Sequence, residues 1–163
     1  IFTVDTGASI DGFFGDACCT YAVGQISDER KRLLDITLQS LHNGMKAVRP
    51  GATLGDIGYA VEQTVIPQGY GLVRDYAGHG IGRRPHEAPQ VPNYGKPGHG
   101  PRLAPGMTIA VEPMVNVGDW HVKVLDDEWT TVTADGTLSA HYENSVALTS
   151  EGVVNLTMLD PTF

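Results

Sequence analysis

The stretch VDTGASIDGFFGDACCTY, residues 4–21, decides the fold that this sequence predicts. An Asp-Gly pair at Asp11–Gly12 lies between two segments that are typical of strands, and such a pair is a strong signal for a tight turn. We therefore predict an antiparallel β-hairpin within residues 1–24.

Two aspartates lie on the predicted hairpin. If Asp11–Gly12 forms the turn, Asp16 pairs with residue 7, and if the turn lies one residue earlier, Asp16 pairs with Asp5. Because side chains alternate along a strand, both registers place Asp5 and Asp16 on one face. Adjacent like charges destabilise a sheet unless a cation neutralises them. The alternative is two aspartates on a solvated surface.

The rest of the chain predicts two helices followed by more strands. Ser27 is a typical N-cap for a helix over 27–48, and Thr53 begins a second helix that ends near Ile66, before Pro67. Strand patterns follow at 72–77, 106–115 and 121–148, with a loop rich in glycine and proline over about 78–106. This order predicts one α+β domain, residues 1–163, with a curved antiparallel sheet.

Composition limits the class of protein. The 163 residues carry 41% hydrophobic residues and a net charge of −8, which disfavours a nucleic-acid or anionic-membrane partner. The two cysteines are adjacent, no signal peptide is present and no apolar run is long enough to span a membrane, so we predict a cytoplasmic protein. The chain begins like the middle of a strand, and we expect further sequence upstream.

Two glutamates occupy apolar strand patterns. Glu112 lies in TIAVEPMV and Glu143 in SAHYENSVAL. Carboxylates are almost never buried unless they are paired or bind a metal. The alternative to a metal site is a salt bridge, for which the available arginines are Arg74, Arg83, Arg84 and Arg102.

Two histidines lie seven residues apart in YAGHGIGRRPHEAP, residues 76–89. Glycines on both sides of His79 permit a positive φ and a close approach of the backbone to an ion or ligand. The alternatives are a histidine satisfied in the core or in a loop for His79, and a surface ion pair with Glu87 for His86. Cys18 with a histidine would be a cysteine nucleophile, but its position beside Cys19 on a strand gives no such signal.

Together these residues predict a dinuclear metal site. Four carboxylates and one imidazole can bind two divalent ions, and such a shell suits Mn²⁺, Fe²⁺, Co²⁺ or Zn²⁺. Two adjacent ions activate a bridging water, and a second histidine can stabilise the developing oxyanion. The chemistry that these residues indicate is hydrolysis, most simply of an amide.

Residues 1–157 resemble the C-terminal two-thirds of type I methionine aminopeptidases, whose pita-bread fold has a curved antiparallel sheet with helices on its outer face. The resemblance rests on the two aspartates eleven residues apart, the two histidines seven apart, and the segments IAVEPMV and SAHYENSVALT. Pro85 and Asn144 depart from the family's usual residues, but neither belongs to the ligand set. The family's earlier segment, which completes the pseudo-twofold fold, has no counterpart in this sequence.

The resemblance implies a role for each residue. Asp5 would bind one ion, Asp16 and Glu143 would bridge both, and His79 with Glu112 would hold the other. Glu112 would also act as the base, His86 would contact the substrate carbonyl or peptide nitrogen, and Trp129 would line the methionine pocket. The implied cofactors are two divalent ions (Co, Mn, Fe, Zn or Ni).

The implied substrate is the N-terminal methionine of peptides and nascent polypeptides, and a monomer is expected. Two alternatives remain open. One is an X-Pro aminopeptidase or prolidase-type dinuclear peptidase. The other is a non-catalytic binding module on the same fold, although such a module would be expected to have lost metal ligands.

Overall fold

A computed structural model of the protein describes residues 1–158. The chain begins with a hairpin of β1 (Phe2–Ile10) and β2 (Phe13–Tyr21). Its turn residues Asp11 and Gly12 have φ angles of 51° and 75°, as a two-residue type I′ turn requires. The predicted hairpin and its turn are confirmed.

The register of the hairpin is the first of the two predicted. Gly7 pairs with Asp16, and Asp5 pairs with Cys18 two positions away. Because side chains alternate, Asp5 and Asp16 share one face of the hairpin, as predicted. On the other face of β1, the apolar side chains of Phe2, Val4 and Ile10 are exposed.

Two helices follow the hairpin. Helix α1 (Asp28–Lys46) begins after Ser27, whose hydroxyl accepts a hydrogen bond from the Arg30 backbone N–H. Helix α2 (Leu54–Val65) begins with a capping box, in which the Thr53 backbone N–H donates to the Asp56 carboxylate. A 3₁₀ turn over Ile66–Gln68 ends it, because Pro67 cannot continue the helix. Both predicted helices are confirmed.

Ten short strands follow in the described part of the chain. They are β3 (Gly71–Leu72), β4 (Gly78–Gly80), β5 (Glu87–Val91), β6 (Thr108–Val111), β7 (Met114–Asn116), β8 (Val122–Val124), β9 (Thr131–Thr133), β10 (Ser139–His141), β11 (Glu143–Leu148) and β12 (Val153–Asn155). The main sheet has the order β1-β2-β11-β6-β4-β5, with β12 beside β11. A second sheet has the order β10-β7-β3, and β8 pairs with β9 in a separate ribbon.

Three predicted boundaries were wrong. Within the predicted strand over 72–77 only Leu72 belongs to a strand, the two-residue β3, and the predicted loop over 78–106 contains β4 and β5. The predicted strand over 106–115 breaks at Glu112 and Pro113 into β6 and β7, which belong to different sheets. Strands of two to five residues show too little alternation to stand out from the surrounding glycines and prolines.

Both helices pack on one face of the antiparallel sheet. Gly44 of α1 marks the point of closest approach, because a Cβ there would lie 2.7 Å from Val61 of α2 and 3.2 Å from Val111 of β6. The core on this face consists of apolar side chains from the helices and the central strands: Leu33, Leu41, Met45, Ile57, Val61, Ile109, Val111 and Val146. Side chains that alternate with these on β6 and β11 point to the opposite face.

The α+β class predicted from the sequence is confirmed. Within residues 1–158, no helix is both long enough and apolar enough to cross a membrane.

Candidate metal centre

The sheet register gathers the predicted ligands on the face opposite the helices. Asp5 pairs with Cys18, and Cys18 in turn pairs with Glu143 of β11. Because Asn144 pairs with Val111, Glu143 lies beside Glu112 at the end of β6. The carboxylates of four strand segments thus point to one side of a single sheet.

Among the described residues four groups could hold a metal ion, and two of them consist only of predicted ligands. His79 Nε2 lies 3.4 Å from Glu112 Oε1 and 3.9 Å from Glu143 Oε1. The second group contains Asp5, Asp16 and Glu143, whose ligand atoms all lie within 4.8 Å of one another. Glu143 belongs to both groups, so it is the carboxylate placed to be shared between two ions.

The His79 ring is oriented by its own loop. Nδ1 lies 3.0 Å from the carbonyl oxygen of Gly80, which accepts a hydrogen bond from the Nδ1–H. Nε2 faces the carboxylates of Glu112 and Glu143. Metal-binding histidines are commonly oriented in this way by a carbonyl acceptor.

The two glutamates are buried and electrostatically strained. Burial, together with the charges of Asp5 and Asp16, raises the pKa of Glu112 to about 8. Burial and the nearby Glu112, Asp16 and Asp5 raise the pKa of Glu143 to about 9. Burial also raises the pKa of Asp5, although His79 and His86 oppose that shift. A divalent cation would remove this cost by neutralising the cluster.

None of the arginines considered as salt-bridge partners for the glutamates pairs with them among the described residues. Within residues 1–158, the ion-pair partners of both glutamates are histidines. Three of the candidate arginines have other contacts: Arg74 pairs with Glu62, Arg83 lies over the Phe13 ring, and Arg102 donates to the Gly51 carbonyl oxygen. Glu143 Oε1 is buried with no hydrogen-bond partner among the described residues, which fits an oxygen that binds an ion.

The glycines beside His79 have a different role from the one predicted. Neither Gly78 nor Gly80 has a positive φ. A Cβ on Gly78 would lie 2.3 Å from the Ala110 carbonyl oxygen, and one on Gly80 would lie 2.2 Å from that of Ala88. These glycines therefore allow β4 to fit between β5 and β6, rather than allowing the backbone to approach an ion.

His86 lies beside the ligand groups and is exposed. Its ring contacts the His79 ring edge-on, with centroids 4.3 Å apart. The alternative of an ion pair with Glu87 was wrong, because the Glu87 carboxylate instead accepts a hydrogen bond from the Arg84 backbone N–H. His86 can thus contact a molecule in the adjacent cavity.

An open cavity of about 1470 Å³ lies over the ligand groups. Asp5, His79, His86 and Glu112 lie along one side, and Trp129 on the β8–β9 ribbon lies along another. The Trp129 side chain is 87% exposed, so it offers a large apolar surface to an occupant of this cavity. The cavity is large enough for a short peptide.

Sequence analysis missed one residue of the site. His141 lies with Nε2 3.7 Å from Glu112 Oε2 and Nδ1 3.9 Å from Asp5 Oδ2. Burial lowers the pKa of His141 to about 4, although Asp16 opposes the shift. The sequence could have indicated His141, because it lies two residues before Glu143 and residues two apart in extended backbone share a face.

Cys18 is not placed to act as a nucleophile. Burial raises the pKa of the Cys18 thiol, and the nearby Asp5 and Glu143 raise it further. The thiol instead donates a hydrogen bond to the His141 carbonyl oxygen. A protonated, buried thiol is unreactive.

Residues 1–150 match the model of metallopeptidase family M24, and the chain belongs to this family. Methionine aminopeptidase of Clostridium acetobutylicum is 48% identical over 160 residues, which are 98% of this chain and 64% of that protein. Methionine aminopeptidase 1 of Bacillus subtilis is 47% identical over 157 residues, or 96% of this chain and 63% of that protein. The predicted resemblance is confirmed.

Solved structures confirm the pita-bread fold. The crystal structure of a methionine aminopeptidase from Thermotoga maritima has a TM-score of 0.93 and 46% identity, covering 95% of this chain and 62% of that chain. Prolidase from Pyrococcus furiosus, at 23% identity and a TM-score of 0.75, is similar in fold alone. The chain therefore spans somewhat less than two-thirds of the methionine aminopeptidases it matches. Membership of a metallopeptidase family implies a divalent metal, and the ligand groups described above fit one.

Proposed function

We propose that this protein is a metal-dependent aminopeptidase that hydrolytically removes the N-terminal methionine from peptides and nascent polypeptides. The main support for the proposal is that Glu143 belongs to both ligand groups. These groups lie beside a cavity large enough for a short peptide. Similarity to methionine aminopeptidases along nearly all of this chain supports the substrate.

Two divalent ions are the proposed cofactors, drawn from cobalt, manganese, iron, zinc and nickel. In this proposal Asp5 holds one ion, His79 and Glu112 hold the other, and Asp16 and Glu143 bridge them. Carboxylates with a single imidazole suit these metals, and the shared position of Glu143 supports its bridging role. When bound, the ions would supply Lewis acidity and lower the pKa of a coordinated water.

The chain's own residues would do the remaining chemistry. Glu112 is the proposed base, because its carboxylate lines the cavity beside His79 and the proposed ions. His86, exposed at the cavity, would donate a hydrogen bond to the carbonyl oxygen or contact the peptide nitrogen of the scissile bond. Trp129 would pack against the methionine side chain.

We further propose a single catalytic domain over residues 1–163, a monomer and a cytoplasmic location. The acidic net charge of −8 supports partners other than nucleic acid or an anionic membrane surface. Residues 159–163, at the end of this proposed domain, lie outside the described residues.

The test is an assay of methionine release from Met-Ala-Ser by metal-free protein reconstituted with Co²⁺, Mn²⁺ or Fe²⁺. Gly-Pro serves as the competing substrate, because a prolidase-type enzyme would hydrolyse it in preference. We expect release of methionine that depends on added metal. Glu112→Gln should abolish it, whereas the exposed Glu29→Gln should leave it unchanged. Hydrolysis of Gly-Pro alone, or metal binding without hydrolysis of either peptide, would contradict the proposal.

A further inference from the structure

His141 is the one imidazole beside the ligand groups to which the proposed mechanism gives no role. Two hydrogen bonds join the backbone of His141 to Thr20 of β2. The His141 N–H donates to Thr20 Oγ1 over 2.9 Å, and the Thr20 hydroxyl donates to the His141 carbonyl oxygen over 2.8 Å. The Cys18 thiol donates to the same carbonyl oxygen. The base of this side chain is thus fixed.

The ring of His141 lies between two carboxylates of the site. Nε2 faces Glu112 Oε2 at 3.7 Å, while Nδ1 faces Asp5 Oδ2 at 3.9 Å. Nε2 is a buried nitrogen with no hydrogen-bond partner among the described residues. Buried polar atoms of this kind call for a partner, and the nearest acceptor given for Nε2 is Glu112 Oε2.

The two oxygens of Glu112 therefore face different histidines. Oε1 faces His79 Nε2 at 3.4 Å, on the side of the proposed ion, and Oε2 faces His141. We propose that His141 is a positioning residue that donates from Nε2–H to Glu112 Oε2, which leaves Oε1 directed at the ion beside His79. This inference rests on the proposed metal centre.

The proposed contact needs only a small adjustment. The present 3.7 Å exceeds the usual N–H···O distance of about 2.7–3.2 Å, and a modest rotation of either side chain would close the gap. Carboxylate ligands are usually held by such outer hydrogen bonds, whose loss weakens metal binding by about 10–100-fold. A neutral imidazole has one N–H, so the ring can donate to Glu112 or to Asp5, but not to both.

Amide side chains distinguish these two acceptors. The amide nitrogen of glutamine occupies a position near that of Nε2, whereas that of asparagine lies near Nδ1. His141→Gln therefore keeps a donor toward Glu112, and His141→Asn keeps one toward Asp5. His141→Leu removes both donors, and the exposed His99→Leu is a matched control away from the cavity.

The experiment is titration calorimetry of Mn²⁺ into each metal-free variant, without peptide, after circular dichroism has established that each variant folds. We expect His141→Leu and His141→Asn to weaken binding of one ion by about 10–100-fold. His141→Gln should restore it to within about threefold of wild type, and His99→Leu should have no effect.

Three outcomes would overturn the inference. Equal affinities in all variants would show that His141 positions nothing. If Asn restored binding and Gln did not, the His141 ring would donate to Asp5 rather than to Glu112. Equal losses in the Leu, Gln and Asn variants would make His141 a ligand or a packing residue. A wild-type protein that binds no Mn²⁺ would instead overturn the proposed metal centre itself, so the two failures are distinguishable.

Discussion

The candidate metal centre contains two pairs of carboxylates that differ in their exposure to solvent. Glu112 and Glu143 lie at the ends of central strands, with 8% and 3% of their surface exposed. Asp5 and Asp16 lie on the edge hairpin, and the Asp5 side chain is 54% exposed. Burial raises the pKa of both glutamates far above the ordinary value, and it also raises the pKa of Asp5, where His79 and His86 oppose the shift.

The two pairs therefore make different contributions to the candidate site. The buried pair is held rigidly by the sheet and carries most of the electrostatic cost that a cation would relieve. The edge pair would complete the shell from the hairpin, with Asp5 on the edge strand β1 and Asp16 on β2, which also pairs with β11. Substitutions in the two pairs should therefore affect stability and metal binding in different proportions.

The largest effect is expected for Glu143→Gln. Because Glu143 belongs to both ligand groups, its loss should disturb both ions and reduce methionine release by at least about 100-fold, as an assay with Met-Ala-Ser would show. The metal-free variant should nevertheless melt at a higher temperature than wild type at pH 9, since it buries no charge at this position. Glu29→Gln is the control, and a lower melting temperature for Glu143→Gln at pH 9 would contradict this account.

Asp5→Asn should separate metal binding from stability. We expect Mn²⁺ affinity, measured by calorimetry, to fall by about 10–100-fold, because one ligand oxygen of the edge pair is lost. The melting temperature of the metal-free protein should change little, since Asp5 is largely exposed. The matched control is Asp11→Asn in the hairpin turn, where asparagine also tolerates positive φ. Unchanged affinity in Asp5→Asn would remove Asp5 from the ligand set.

Trp129→Ala tests a side chain outside both pairs. It should raise KM for methionine peptides by about 10-fold through lost apolar contact, while Mn²⁺ affinity and melting temperature stay unchanged. Steady-state kinetics with Met-Ala-Ser and calorimetry on the same samples would check this. A loss confined to kcat would show that Trp129 does not bind the substrate side chain.

The smallest expected effect is a pH dependence of the metal-free fold. A carboxyl whose pKa is higher in the folded state binds its proton more tightly there, so both glutamates cost stability as pH rises from about 4.5 through about 8 and 9. His141, with its pKa lowered to about 4, acts in the opposite sense, but only up to its ordinary value of 6.5.

Between pH 6.5 and 9 the glutamates should therefore dominate within this cluster. The melting temperature of chelator-treated protein should fall by a few degrees across this range, since 1 kcal/mol shifts a domain of this size by about 2–4 °C. Scanning calorimetry should find a smaller fall for Glu143→Gln. An equal fall in both proteins would place the titrating groups elsewhere.

The sequence predicted the edge pair better than the strands around it. The Asp11–Gly12 turn and the period of two were enough to place Asp5 and Asp16 on one face. The glutamates were found because a carboxylate in an apolar run needs a partner. Their arginine alternative failed because only three-dimensional packing decides which charged side chains meet.

Long-range pairing was beyond sequence reasoning. The three-residue strand β4 is held by backbone contacts with β5 and β6, and its side-chain pattern is hidden by the two glycines that those contacts require. His141 was missed for a related reason, because its importance comes from β2 and β6 rather than from its own neighbours. The candidate ligands could thus be nominated from the sequence, whereas the groups that pack beside them could not.

Gly44 connects the packing of the helices with the position of Glu112 in the candidate metal centre. The missing side chain lets α1 approach α2 and Val111 closely, and Val111 is covalently joined to Glu112 on the opposite face of the sheet. Adding a methyl group at Gly44 would press on Val111, and the strand would transmit that displacement to the neighbouring carboxylate. Packing between the helices and the sheet is therefore expected to affect the position of Glu112 on the opposite face.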